Sequence, residues 1–107
     1  MTTMHDRETA FEAKFASDEE REFKAQARRD RMLAEWLGPQ LGLGGEALAD
    51  YVTAVWRADL KSPGDQDVLD KVMADVEGKG LALTGAEVRA KMDELLAQAR
   101  RELHAGA

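Results

Sequence analysis

The chain has 107 residues, enough for one domain around one hydrophobic core. Its formal net charge is −6, with 34% charged residues, which argues against nucleic acid or an anionic membrane surface as a general partner. It contains no cysteine, so disulfides, thiolate nucleophiles and thiolate metal sites are excluded.

Two prolines, six aromatics and few β-branched residues outside helical patterns leave little material for strands. No run of eighteen apolar residues and no apolar signal core occurs, so neither membrane insertion nor secretion is expected. The composition predicts a cytoplasmic, all-α protein, monomeric when free.

The first stretch, residues 6–37, organises the rest. Phe11 and Phe15 stand four apart in a charged opening, and Phe23, Ala27, Leu33 and Leu37 extend an apolar stripe near the helical period. Ser17 and Glu20 form an S-x-x-E capping box, and Gly38-Pro39 is a stop signal. These signals place a helix over 17–37, about 30 Å long at ~1.5 Å per residue. Residues 1–16 keep the period but form too short a segment to hold a helix alone, so they read as a flexible, partly helical arm. Two domains follow: an arm over 1–16 and a four-helix bundle over 17–107.

Beyond the stop, residues 38–45 (GPQLGLGG) form a connector. They lack the G-K-[ST] ending and the preceding strand of a phosphate loop. Leu48, Tyr51, Val52, Val55 and Trp56 then mark a second amphipathic helix, ended by Pro63-Gly64. Asp65, Asp67 and Asp70 open a third, whose apolar face is Val68, Leu69, Val72, Met73 and Val76. A calcium loop does not fit, because Asp70 and Val76 fall where an EF-hand needs glycine and glutamate. Carboxylates in a first helical turn are explained by the helix dipole. Gly78-Lys79-Gly80 ends that helix, and Thr84 with Glu87 caps a fourth, with Val88, Met92, Leu95, Leu96, Ala99 and Leu103 on one face. Short Gly/Pro connections favour antiparallel neighbours, hence the bundle.

Catalytic and metal chemistry have no visible carrier. His5 and His104 lie at opposite ends without spaced partners, and Ser17 and Ser62 belong to a cap and a turn. Trp36, Trp56 and Tyr51 lie on or beside apolar stripes and read as core. We therefore expect no enzyme activity, no cofactor and no metal. Two features remain. Arg21, Lys24, Arg28 and Arg31, at offsets 0, 3, 7 and 10, share one helix face, with Arg29 beside them and Phe23 nearly opposite. That face is either a solvated surface or a docking stripe for an acidic protein surface; Asp18, Glu20, Glu22, Asp30 and Glu35 dilute it too much for nucleic acid. Phe11 and Phe15 either dock onto the bundle or anchor a segment that orders in a partner's groove.

The same residues carry a resemblance. Residues 6–38 look like the opening of the zeta-subunit inhibitors of bacterial F-type ATP synthases. The family pattern is roughly D-R-E-x-A-F-E-x-K-F-A, an acidic spacer, then F-K-x-x-A-R-R-N-K-L-L-x-x-W. Asp6, Arg7, Glu8, Ala10, Phe11, Glu12, Lys14, Phe15 and Ala16 match the first block, and Phe23, Lys24, Ala27, Arg28, Arg29, Leu33 and Trp36 the second. Further on, 88–99 is similar to the family's R-x-x-M-D-E-L-L-x-x-A through Arg89, Met92, Asp93, Glu94, Leu95, Leu96 and Ala99. Departures are Asp30 and Arg31 for an Asn-Lys pair, Met32 for a leucine, and Pro39.

The resemblance implies a four-helix protein whose arm blocks ATP hydrolysis by entering between an alpha and a beta subunit near the gamma stalk. The protein would then be cytoplasmic and peripheral to the inner membrane when bound. It assigns partner contacts to Asp6, Arg7, Glu8, Ala10, Phe11, Glu12, Lys14 and Phe15, with Arg21, Lys24, Arg28 and Arg31 holding the turn that follows. The alternative is a bundle that binds nucleotide weakly, or an adaptor for another protein.

Overall fold

The computed structural model describes the chain over residues 3–106, with side chains over 18–104. Four helices follow one another: α1 (Thr3–Leu37), α2 (Gly45–Asp59), α3 (Gln66–Lys79) and α4 (Gly85–Gly106). A 3-10 turn, Gly38–Leu41, lies between α1 and α2, and no strand occurs among the described residues. Each helix packs on the next and α4 returns to α1, which closes the ring of an antiparallel bundle. The fold is all-α, as the sequence predicts.

Helix α1 is the long axis. Its 35 residues run about 52 Å at ~1.5 Å per residue, in a molecule 66 × 24 × 21 Å. It passes through Ser17 without a break, so the predicted start at the capping box is corrected: the helix begins at Thr3. A cap contributes only about 1 kcal/mol, and Ala10, Glu12, Ala13, Lys14 and Ala16 on its N-terminal side are strong helix formers. Pairs Lys24–Glu20 (3.5 Å) and Arg31–Glu35 (3.7 Å) support the exposed face. At the other end, a methyl group on Gly38 would meet Leu48 Cδ1, the tip of a partly buried side chain that can rotate away. Gly80 is required by conformation, because it closes α3 in the left-handed region at φ 74°.

The core lies toward the C-terminal half of α1. Leu33, Ala34 and Leu37 meet Tyr51 and Val55 of α2, Val68, Val72 and Val76 of α3, and Val88, Met92 and Leu95 of α4. All three valines of α3 sit at four-residue spacing, so one edge of that helix is buried along its length. Tyr51 brings its ring inside and its hydroxyl to the rim, where it donates to Asp75 Oδ2 at 2.8 Å. Burial and the Asp75 carboxylate push the phenol far above its ordinary value, so it stays neutral. Trp36 is half-buried with Lys91 Nζ 5.2 Å over its ring. The T-x-x-E box of α4 forms as expected: Glu87 N–H donates to Thr84 Oγ1 at 3.1 Å, and the Thr84 hydroxyl to Glu87 Oε1 at 3.1 Å.

Two packing expectations are corrected. Phe23, placed by its spacing on the inward stripe, is 54% exposed, and Trp56 stands at 37%. Their places toward the core are taken by Ala25, Arg29 and Asp30, all buried.

Leu33→Ala is expected to lower unfolding free energy by about 2–5 kcal/mol, as a fully buried large-to-small change. Gly38→Ala should change it by about 1 kcal/mol or less, because the Leu48 tip it meets can rotate away. Urea denaturation followed by circular dichroism measures both.

Candidate partner-binding surface

The exposed face of α1 carries the predicted basic stripe. Arg21 and Lys24 are exposed, Arg28 is half-buried and Arg31 exposed. Lys24 pairs with Glu20, Arg31 with Glu35, and Arg28 NH1 reaches Glu102 of α4 at 3.3 Å. Among the described residues Arg21 makes no ion pair. With three of its four cations each facing a carboxylate, the stripe presents no cluster of unshared donors for a phosphate chain.

Phe23 does not lie opposite this stripe, as the spacing predicts, but beside it. It forms a ridge between two surface grooves. One, of about 320 Å³, is lined by Phe23, Lys24, Ala27, Arg28, Arg31 and Leu103. The other, of about 390 Å³, runs from Phe23 and Ala27 to Trp56, Leu60 and the 61–64 turn. Phe23, Trp56 and Leu60 are the exposed large hydrophobic residues among those described, and they share that groove.

Toward the N-terminus, the face of α1 is closed by the end of α4. Asp18, Arg21, Glu22 and Ala25 border a groove with Arg100, Leu103 and His104. Arg100 Nε donates to Glu22 Oε2 at 3.1 Å, and its second nitrogen grips Oε1. This fork holds the Glu22 carboxyl below its ordinary value and raises Arg100. Asp6, Arg7, Glu8, Ala10, Phe11, Glu12, Lys14 and Phe15 belong to α1 by backbone, but their side chains lie outside the described residues, as does that of His5. Glycine, proline and other breakers are absent from Thr3–Leu37, so these positions share one unbroken helix with the stripe.

Beneath the stripe is a charge cluster that sequence reasoning missed. Arg29 is 1% exposed and Asp30 0%, although the spacing assigned both to the surface. Arg29 Nε donates to Asp30 Oδ1 at 2.7 Å. Its NH2 lies 3.8 Å from Asp59 Oδ2 at the end of α2, and its NH1 3.5 Å from Asp65 Oδ2 before α3. Asp65 in turn accepts from Arg89 of α4 at 2.7 Å. Asp65 was expected to serve the dipole of α3; it makes no side-chain cap there and bridges two arginines instead. Burial alone would raise Asp65, but the hydrogen bond and charge of Arg89, with Arg29 behind, hold it below the usual carboxylate value. Asp30 goes the other way: burial, then the Asp59 carboxyl against it, pushes it up to about 8 despite Arg29. A signal was present. Counting back from Leu37, Ala34 and Leu33 by three and four lands on Asp30, Arg29 and Ala25.

Among the described residues, no group of three or more His, Asp or Glu side chains is arranged to hold a metal ion. None of the described helices is long and apolar enough to cross a membrane.

An all-α bundle with an extended first helix and a charged exposed face defines a class of small helical-bundle proteins. Its family is given by comparison: the chain belongs to the family described as ATPase inhibitor subunit zeta, whose model matches residues 1–102. A comparison with curated proteins gives no match. The family match spans α1 in full and nearly all of α4, so it covers arm and bundle together.

Phe23→Ser is expected to change stability by about 1 kcal/mol or less, since its ring is more than half in water. Arg29→Ala should lower it by on the order of 3–5 kcal/mol, because Asp30, Asp59 and Asp65 lose their shared cation. The reverse order in urea midpoints would return Phe23 to the core.

Proposed function

We propose that the chain is a non-catalytic inhibitor of ATP hydrolysis by a bacterial F-type ATP synthase, and that residues 1–16 act as its wedge. In this reading they enter between an alpha and a beta subunit of the catalytic head near the gamma stalk, and the bundle stays outside. Phe11 and Phe15 are the apolar anchors. Asp6, Arg7, Glu8, Glu12 and Lys14 pair with polar groups lining the cleft, with Ala10 allowing close approach. Arg21, Lys24, Arg28 and Arg31 steer and hold the turns at the entrance.

The observation that carries the reading is the continuity of α1, together with a family match that begins at residue 1. An isolated sixteen-residue helix must nucleate, which is unfavourable by a factor near 10⁻³. A segment continuing a helix already fixed in a bundle needs only to propagate. Burying two phenylalanine rings contributes about 3–6 kcal/mol. Ordering a free chain opposes this by ~1–2 kcal/mol per residue. Attachment to α1 reduces that opposing term, which the rings alone could not offset. Register agrees: eighteen residues make five helical turns, so positions 11 and 15 fall on the azimuth of Arg29 and Leu33. The wedge therefore continues the inward side of α1 rather than its basic side.

The test is ATP hydrolysis by the cognate catalytic head titrated with this protein. Wild type should inhibit, and Phe11→Ala with Phe15→Ala should weaken inhibition by at least tenfold while leaving circular dichroism unchanged. Arg28→Glu with Arg31→Glu should slow association and reduce its salt dependence, since exposed charges act on encounter more than on residence. Full inhibition by the double-alanine protein at wild-type concentration would overturn the wedge.

A further inference from the structure

Asp30 is completely buried, and the charges around it do not balance. Arg29 faces it from α1 and Asp59 from the end of α2; Arg29 also reaches Asp59 and, before α3, Asp65, which Arg89 of α4 holds in turn. Two guanidinium groups thus meet three carboxyls. Asp65 and Arg89 are partly exposed and paired with each other, so with all groups ionised the buried Arg29 would face two carboxylates, Asp30 and Asp59, away from water, which is strongly unfavourable. Geometry locates the surplus. Asp30 Oδ1 accepts from Arg29 Nε, while Oδ2 is buried and receives no donor. Its neighbour is the Asp59 carboxyl, which can only accept while ionised. A proton on Oδ2 resolves both faults: the orphan oxygen becomes a donor to Asp59, and the cluster becomes neutral.

We propose that the folded chain holds Asp30 protonated at neutral pH, with Oδ2–H donating to the Asp59 carboxylate, so that the seating of α1 on the end of α2 is a proton-dependent joint. The inference goes beyond the inhibitor reading and does not rest on it, because it concerns the folded chain alone.

The sign follows from proton counting. In the unfolded chain Asp30 ionises near the ordinary value of 3.8; in the folded chain it keeps its proton to about pH 8. The folded state binds the extra proton between those limits, so stability falls as pH rises through that window. The contribution is complete below the ordinary carboxylate value and gone once the folded group ionises. Within the window the folding constant drops by up to about tenfold per pH unit.

The experiment compares urea denaturation of the full chain and Asp30→Asn from pH 5 to 9. Asparagine keeps the size of the acid, lets its oxygen accept from Arg29, and offers an N–H to Asp59 at every pH. Titratable groups that do not touch Asp30 are common to both proteins and cancel in the difference. The variant is expected to gain on wild type by close to tenfold per pH unit up to about pH 8, then level off. Carbon-detected NMR of the Asp30 carboxyl in the wild-type protein gives a second readout that needs no variant, with a titration midpoint far above the usual carboxylate range. Parallel stability profiles, or an Asp30 carboxyl that ionises in the ordinary range, would overturn the proposal. Should the variant not fold, the wild-type titration decides alone.

Discussion

The guanidinium of Arg29 is where the helices of this bundle are tied together. It touches carboxylates from α1, from the last residue of α2 and from the turn before α3, and Arg89 carries the tie to α4 through Asp65. Such a cluster is weak evidence for stability, since desolvating a cation opposes the attraction it gains. What it supplies is position. An aliphatic residue at that place on α1 would pack in several rotations of the helix, whereas a guanidinium with three carboxylates to reach fits one. The rotation of α1 sets which residues face water, and therefore where the basic stripe and the Phe23 ridge lie.

That dependence explains how the sequence misled about α1 while reading the other helices well. In α3 and α4, and in α2 apart from the exposed Trp56, apolar residues occupy the buried positions, so Tyr51, Val55, Val68, Val72, Val76, Val88, Met92 and Leu95 are legible from spacing alone. Thr84 and Glu87 are equally legible, because a cap is a local device. In α1 the stripe was traced from the phenylalanines toward the C-terminus, and a ring was preferred over Arg and Asp for the interior. The true inward set is Ala25, Arg29, Asp30, Leu33, Ala34 and Leu37. It keeps the three-and-four spacing but holds a charged pair at its centre, and no single-residue preference places such a pair inside. Only partners distant in sequence, Asp59 and Asp65, make it admissible.

The start of α1 was misread for a related reason. Ser17 and Glu20 are a valid start signal, but a start signal ends nothing upstream. Residues before it are built from Ala, Glu, Lys, Arg and Phe, which continue a helix once one exists. The boundary between arm and bundle is therefore not a break in secondary structure. Among the described side chains, α4 borders α1 from Asp18 onward, opposite Leu103 and His104. There Arg100 on Glu22, with the Arg29 cluster farther in, clamps α1 to its neighbours.

The departure from the family pattern at position 30 falls on the same clamp. The pattern that the chain resembles carries asparagine there, and this chain carries aspartate. An amide in that buried place could accept from Arg29 and donate to Asp59 without regard to pH. A carboxyl can do both only while it holds a proton, since ionised it has no donor to offer. The two groups are of equal size, so the exchange asks no new volume of the core beside Leu33 and Leu37. What it changes is the protonation state that the fold requires. A pH-indifferent contact becomes one that loosens toward alkaline pH, at the root of the helix that carries the arm.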